Sequence, residues 1–102
     1  MKDNSIKVYI PVDGKGSYIY TEEALEYFCE LFGGSTGISC MGYWKNSAGV
    51  TEKESVTTVN ANMTADDLNA HLNEIYDYIR ELKIKLEQEK IAIEINNELQ
   101  LI

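Results

Sequence analysis

Between Ala65 and Leu86 the residues Ala65, Leu68, Leu72, Ile75, Ile79, Leu82 and Leu86 recur at alternating steps of three and four. A strand changes face at every residue and would scatter such a set, whereas a helix of 3.6 residues per turn gathers it into one stripe. The ends agree with that assignment. Thr64 is a capping residue, Asp66 and Asp67 fall in the first turn, and Lys83 and Lys85 fall in the last, each sign suiting the helix dipole. A stripe this long in a short chain fits a helix lying across a sheet better than a coiled-coil seam.

The rest of the chain supplies that sheet. Ile6, Val8, Ile10 and Val12 alternate as one face of a strand, with Pro11 limiting pairing near its end, and residues 13–17 (DGKGS) read as a turn. A first helix is predicted from Thr21, its cap, to Gly33, its stop, with Leu25, Phe28, Cys29 and Phe32 as the buried stripe. On that stripe Cys29 is a small core hydrophobe. Residues 38–44 (ISCMGYW) form a second strand, 45–49 (KNSAG) a hairpin turn, and 50–60 the return strand. Ile91, Ile93 and Ile95 alternate again, Asn96-Asn97 make a turn that tolerates positive φ, and 98–102 return as a short last strand. The order predicts one α+β domain over residues 1–102, a ferredoxin-like βαββαβ sandwich. Both helices lie on one face of an antiparallel sheet, a short C-terminal strand is added, and the open face is left for pairing or binding.

Composition narrows the function. A formal net charge of −8 argues against direct nucleic-acid binding, which needs a basic stripe, and suits either solubility or docking on a basic protein partner. No run of about 18 apolar residues is present, so no membrane span is expected. The opening MKDNSIKVYIPV lacks a leader's apolar stretch, which points to the cytoplasm and to Cys29 and Cys40 as free thiols. Seven tyrosines against two phenylalanines suggest rings at rims or subunit contacts, and the small core favours a homodimer.

Catalytic chemistry finds little support. Neither Gly14-Lys15-Gly16-Ser17 nor Gly33–Gly37 has P-loop spacing, and the second set follows a helix C-terminus, the wrong end for a phosphate. Two cysteines and one histidine fall short of a structural zinc site. His71, with Asp67 one turn earlier, can be paired with Cys40 across the sheet, but nothing in the spacing requires it. Glu52 with Glu54, and Asp66 with Asp67, are carboxylate pairs that solvated faces and helix capping explain. No catalytic residue, metal or cofactor is implied. The binding candidates are Trp44, Tyr43 and Tyr20 as ring surfaces, Lys45 as a local basic group, and Glu54 beside them.

The stretches VYIP, ALEYFCELFGG, GYWKNSAGVTEKES and QEKIAIEIN resemble a family of small ferredoxin-like bacterial and phage proteins with a G-x-W-x4-G-x4-E central block and a Gln-Glu pair before the final strand. Gly42, Trp44, Gly49 and Glu54 match the central block, and Gln88 and Glu89 the late one. Lys90 stands where a small residue is expected. The resemblance implies the fold and an origin on a phage or mobile element, and carries over no activity. The leading expectation is therefore a non-enzymatic acidic binding protein that inhibits a host defence protein by direct contact. The alternative is a protein that sequesters a small molecule or nucleotide in a cleft around Trp44.

Overall fold

The computed structural model describes residues 1–12 and 17–102, with the backbone alone at residue 17; the turn expected at 13–17 therefore lies almost wholly outside the described residues. The elements run β1 (Asn4–Pro11), α1 (Ser17–Phe32), β2 (Thr36–Lys45), β3 (Thr51–Met63), α2 (Ala65–Lys85), β4 (Ala92–Ile95) and β5 (Glu98–Leu101). They build one five-stranded sheet in the order β2-β3-β1-β4-β5, every neighbouring pair antiparallel. This is the expected α+β sandwich, with β5 added beyond β4.

Alternation along β1 decides which face is covered. Ile6, Val8 and Ile10 are buried in one core with Ala24, Phe28 and Phe32 of α1 and Leu68, Ile75, Ile79 and Leu82 of α2, so both helices lie on that face. The α2 stripe holds as read, except that Ala65 is exposed and Leu72 only half-buried. Thr64 accepts a hydrogen bond from the Asp67 amide at 3.1 Å, satisfying one of the first-turn donors.

The first helix departs from its expected start and phase. It begins at Ser17, four residues before Thr21, and Thr21 is buried inside it. The buried positions are Thr21, Ala24, Phe28 and Phe32, while Cys29 is exposed and Leu25 half-buried. Positions 21, 24, 28 and 32 recur at steps of three and four and so form one face, from which Cys29, next after Phe28, is turned by about 100°. Gly33 ends the helix as expected, at φ +85° with its amide bonded to Cys29 O at 2.7 Å.

Both hairpins form where the turn chemistry placed them. At the first, Asn46 Oδ1 accepts from the amides of Ala48 and Val50, and Gly49 sits at φ +78°. At the second, Asn96 and Asn97 take φ +52° and +68°, the left-handed pair a two-residue hairpin turn requires. Asn96 Oδ1 also accepts from the Ser5 amide at 2.9 Å, tying that turn to the start of β1. Beyond β5, Ile91 and Ile102 exchange two backbone hydrogen bonds of 3.0 and 2.9 Å.

Candidate functional site

The β2–β3 hairpin is longer than its neighbours. Pro11 pairs with Val56, whereas β3 starts at Thr51 and pairs with β2 as far as Lys45, so the hairpin arm projects past the end of β1. The loop between α2 and β4 reaches the same end of the sheet. Between arm and loop lies a cavity of about 860 Å³ lined by Tyr9, Tyr43, Trp44 and Lys45, by residues Glu87 to Lys90, and by Ala92, Leu99 and Leu101. Its volume falls in the range of small-molecule sites, and its walls combine aromatic and aliphatic groups with a few charges.

Strand register settles how the candidates contribute. Gly37 lies against Leu25 of α1, so odd-numbered β2 residues belong to the helix-facing register and even-numbered ones to the open face. Tyr43 and Lys45 thus share one register and Trp44 the other, and all three line the cavity because they lie at the end of the strand. Glu54 pairs with Gly42 and is a diagonal neighbour of Trp44 on the open face, but it is not among the cavity-lining residues. Tyr20 is not among the cavity-lining residues: it packs half-buried against the helix-side core, with Lys85 Nζ 5.8 Å from its ring centre.

Two contributors escaped the sequence reading. Tyr9 lies on the open face of β1, and its hydroxyl donates to Glu94 Oε2, with Lys7 Nζ 3.8 Å from the same oxygen. The bond to Glu94, then burial, pushes the Tyr9 hydroxyl up to about 12, so it stays a donor at neutral pH. An alternating strand says which residues share a face, but not which of them meets a carboxylate 85 residues later. The other is the 87–90 loop. Glu87 takes φ +54°, and the Gln88 and Glu87 amides bond Lys83 O and Ile84 O at 3.0 and 3.1 Å, closing α2 in a Schellman motif. Glycine usually fills that position, so a glutamate there gave no stop signal. It is strained backbone at the rim of the cavity. The loop brings Gln88 and Glu89 to the same cavity as Trp44, uniting the two sequence blocks 44 residues apart.

The nucleophile–base pair does not form. Cys40 is on the open face opposite Val56, while His71 lies in the helix layer, its ring edge-on to Phe32 at 5.9 Å and its Nδ1 paired with Glu74 Oε1. The sheet separates them. Among the described residues no group of three or more histidines, cysteines or acids is arranged to hold a metal ion. Among them too, no helix is long and apolar enough to cross a membrane.

No protein-family model matches the chain, and no curated protein matches it in sequence. Solved structures do. A phage SAM lyase in complex with S-methyl-5′-thioadenosine superposes with a TM-score of 0.62 at 13% identity, covering 97% of this chain and 88% of that one. The same enzyme class in its apo state gives 0.62 at 14% identity, with 97% and 87% covered. At such identities the likeness is one of fold: this chain has the α+β architecture on which a phage lyase is built.

Proposed function

We propose that this chain binds an adenosine-bearing sulfonium or thioether compound in the Trp44 cavity and cleaves the sulfonium as a lyase. The observation that carries the reading is the cavity itself, with Tyr9, Tyr43 and Trp44 set against Gln88 and Glu89. The phage lyase that shares the fold holds an adenosine thioether, and this supports the choice of ligand class. Tryptophan and tyrosine faces attract both a purine and a sulfonium cation. A net charge of −8 favours the approach of a cationic ligand.

The chemistry asks little of the protein. In S-adenosylmethionine the sulfur is already an activated leaving group. The ligand's own carboxylate oxygen forms a bond to the γ-carbon as the carbon–sulfur electron pair moves onto sulfur. Neutral S-methyl-5′-thioadenosine and a protonated homoserine lactone result, with no water, oxidant or protein nucleophile consumed. Opposite charges cancel in that step, so apolar walls such as Ala92, Leu99 and Leu101 favour it by excluding water. A site without a nucleophile–base pair is therefore sufficient.

Incubation with S-adenosylmethionine is expected to release S-methyl-5′-thioadenosine, read by chromatography. Trp44→Ala is expected to weaken binding by about 5- to 150-fold, the equivalent of ~1–3 kcal/mol of base–aromatic stacking. Calorimetry that finds neither compound bound, with no product formed, overturns the reading.

A second reading rests on a different surface. The outward faces of the helices carry exposed Glu22, Glu23, Glu26 and Glu30 on α1 and Asp66, Asp67, Glu74, Asp77 and Glu81 on α2. Such a face suits a basic protein partner, and with it the role of a phage- or element-borne cytoplasmic inhibitor of a host defence protein. Partner capture that fades with salt and is abolished by Glu22→Lys/Glu26→Lys/Glu30→Lys is the expected result; capture unchanged by both removes this reading.

A further inference from the structure

We propose that β2 is a self-association edge, pairing antiparallel with β2 of a second copy to make one continuous ten-stranded sheet across a two-fold axis. The strand spans ten residues, Thr36–Lys45, and among the described residues it pairs with β3 alone, so its other backbone edge is the outer edge of the sheet. Long open edges are normally guarded by charge, proline or a bulge. None guards this one: from Gly33 to Trp44 there is no charged residue and no proline, and the sole charge of the strand is Lys45 at its end. Large apolar side chains stand exposed along it instead: Ile38 at 51%, Met41 at 52%, Tyr43 at 66% and Trp44 at 42%.

Charge chooses the occupant. Each copy carries a net −8, and the helix faces hold much of the acid. Two copies therefore repel through most of their surface and approach at least cost through a neutral strand. A basic partner would be drawn to the acidic helices, not to this edge. A second copy matches it by construction, since a two-fold contact sets the same patch against itself.

The sheet geometry also limits the register, and the proposed pairing is the one centred on Met41. A two-fold axis perpendicular to the sheet keeps open faces on the same side, so paired residue numbers must sum to an even value and the axis must pass between a residue and its own copy. Centred on Met41, the pairing spans Gly37–Lys45. It sets Trp44 against Ile38 of the second copy on the open face, Met41 against Met41 on the other, and Cys40 against Gly42. Aromatic–aliphatic pairs of this kind are the favoured cross-strand contacts, and Gly42 adds no bulk opposite the thiol. The two Cys40 side chains become diagonal neighbours at about 7–8 Å.

Cys40 is thus a native reporter. The full chain carrying Cys29→Ser, treated with a short bis-maleimide at tens of micromolar protein, is expected to give a covalent dimer linked Cys40 to Cys40, and light scattering a dimer mass. Ser39→Lys/Met41→Lys is expected to halve the mass while keeping the helical circular dichroism. A monomer for the unmodified chain, a trimer, or a dimer that leaves Cys40 unlinked overturns the proposal. Because the cross-link is read without touching the strand, an edge variant that fails to fold does not shelter it. The pairing needs no ligand, so its failure is separate from that of the lyase reading.

Discussion

Phe28→Ala is expected to lower stability by about 3–5 kcal/mol, a large share of the ~5–15 kcal/mol typical of a domain. Phe28 is fully buried at the centre of an aromatic cluster, edge-on to Tyr27 at 5.2 Å and to Tyr78 at 6.2 Å. Removing the ring leaves a void whose walls belong to α1, α2 and the sheet, so no single neighbour can collapse into it. Urea unfolding should show a lower midpoint at unchanged slope. Cys29→Ala, one position along, is the matched control: the thiol is exposed, and a change within about 0.5 kcal/mol is expected. Equal losses from the two substitutions would mean that α1 has the opposite phase.

Tyr78→Phe should act in the other direction. The Tyr78 hydroxyl oxygen is buried and has no hydrogen-bond partner among the described residues. Leaving such a group dry costs about 1–3 kcal/mol, so its removal is expected to raise stability by ~1 kcal/mol at pH 7. The same substitution changes the alkaline limb. Burial first, then the Glu23 carboxylate, pushes the Tyr78 hydroxyl up to about 12; burial, then Glu74, does the same for Tyr27, and the Glu94 bond does so for Tyr9. With folded values raised above the ordinary 10, the contribution of these groups is fully present below pH 10. It is lost as pH rises toward 12, because only the unfolded chain sheds those protons in that window. Stability measured from pH 8 to 11 should therefore fall beyond pH 10, and fall less steeply in Tyr78→Phe. Parallel curves for the two proteins would show that Tyr78 ionises freely in the folded state.

The elements with strong local signals were legible from the residues. The α2 stripe, Thr64, Gly33, Asn46–Gly49 and Asn96-Asn97 all carry their instructions within a few positions. Helix α1 was harder, because Thr21 is a good cap by type but sits inside the helix, buried. Leu25 and Cys29 joined Phe28 and Phe32 in a plausible stripe, but the face turned to the sheet carries Thr21 and Ala24 instead. At the cavity, Trp44, Tyr43 and Lys45 were found as neighbours of an aromatic block, and Gln88 and Glu89 as a separate one. What joined them was the overhang of β2–β3 past β1 and a glutamate in a left-handed turn, neither of which leaves a local mark. Tyr9 was missed for a related reason: its partner Glu94 is supplied by the far end of the chain.

That distance bears on when the cavity can be completed during synthesis. The central strand β1 is the first made, yet one of its two neighbours is β4, so Val8 must wait for Ile93. The clasp of Ile91 on Ile102, which holds the start of β4 and the cavity wall beside it, comes later still. At ribosomal speeds of roughly 5–20 residues per second, the nascent chain spends seconds with half of its sheet unpartnered. The cavity is therefore among the late products of folding on the ribosome: until residues 98–102 emerge, Tyr9, Trp44, Ala92 and the 87–90 loop lack Leu99 and Leu101, the aliphatic part of the wall.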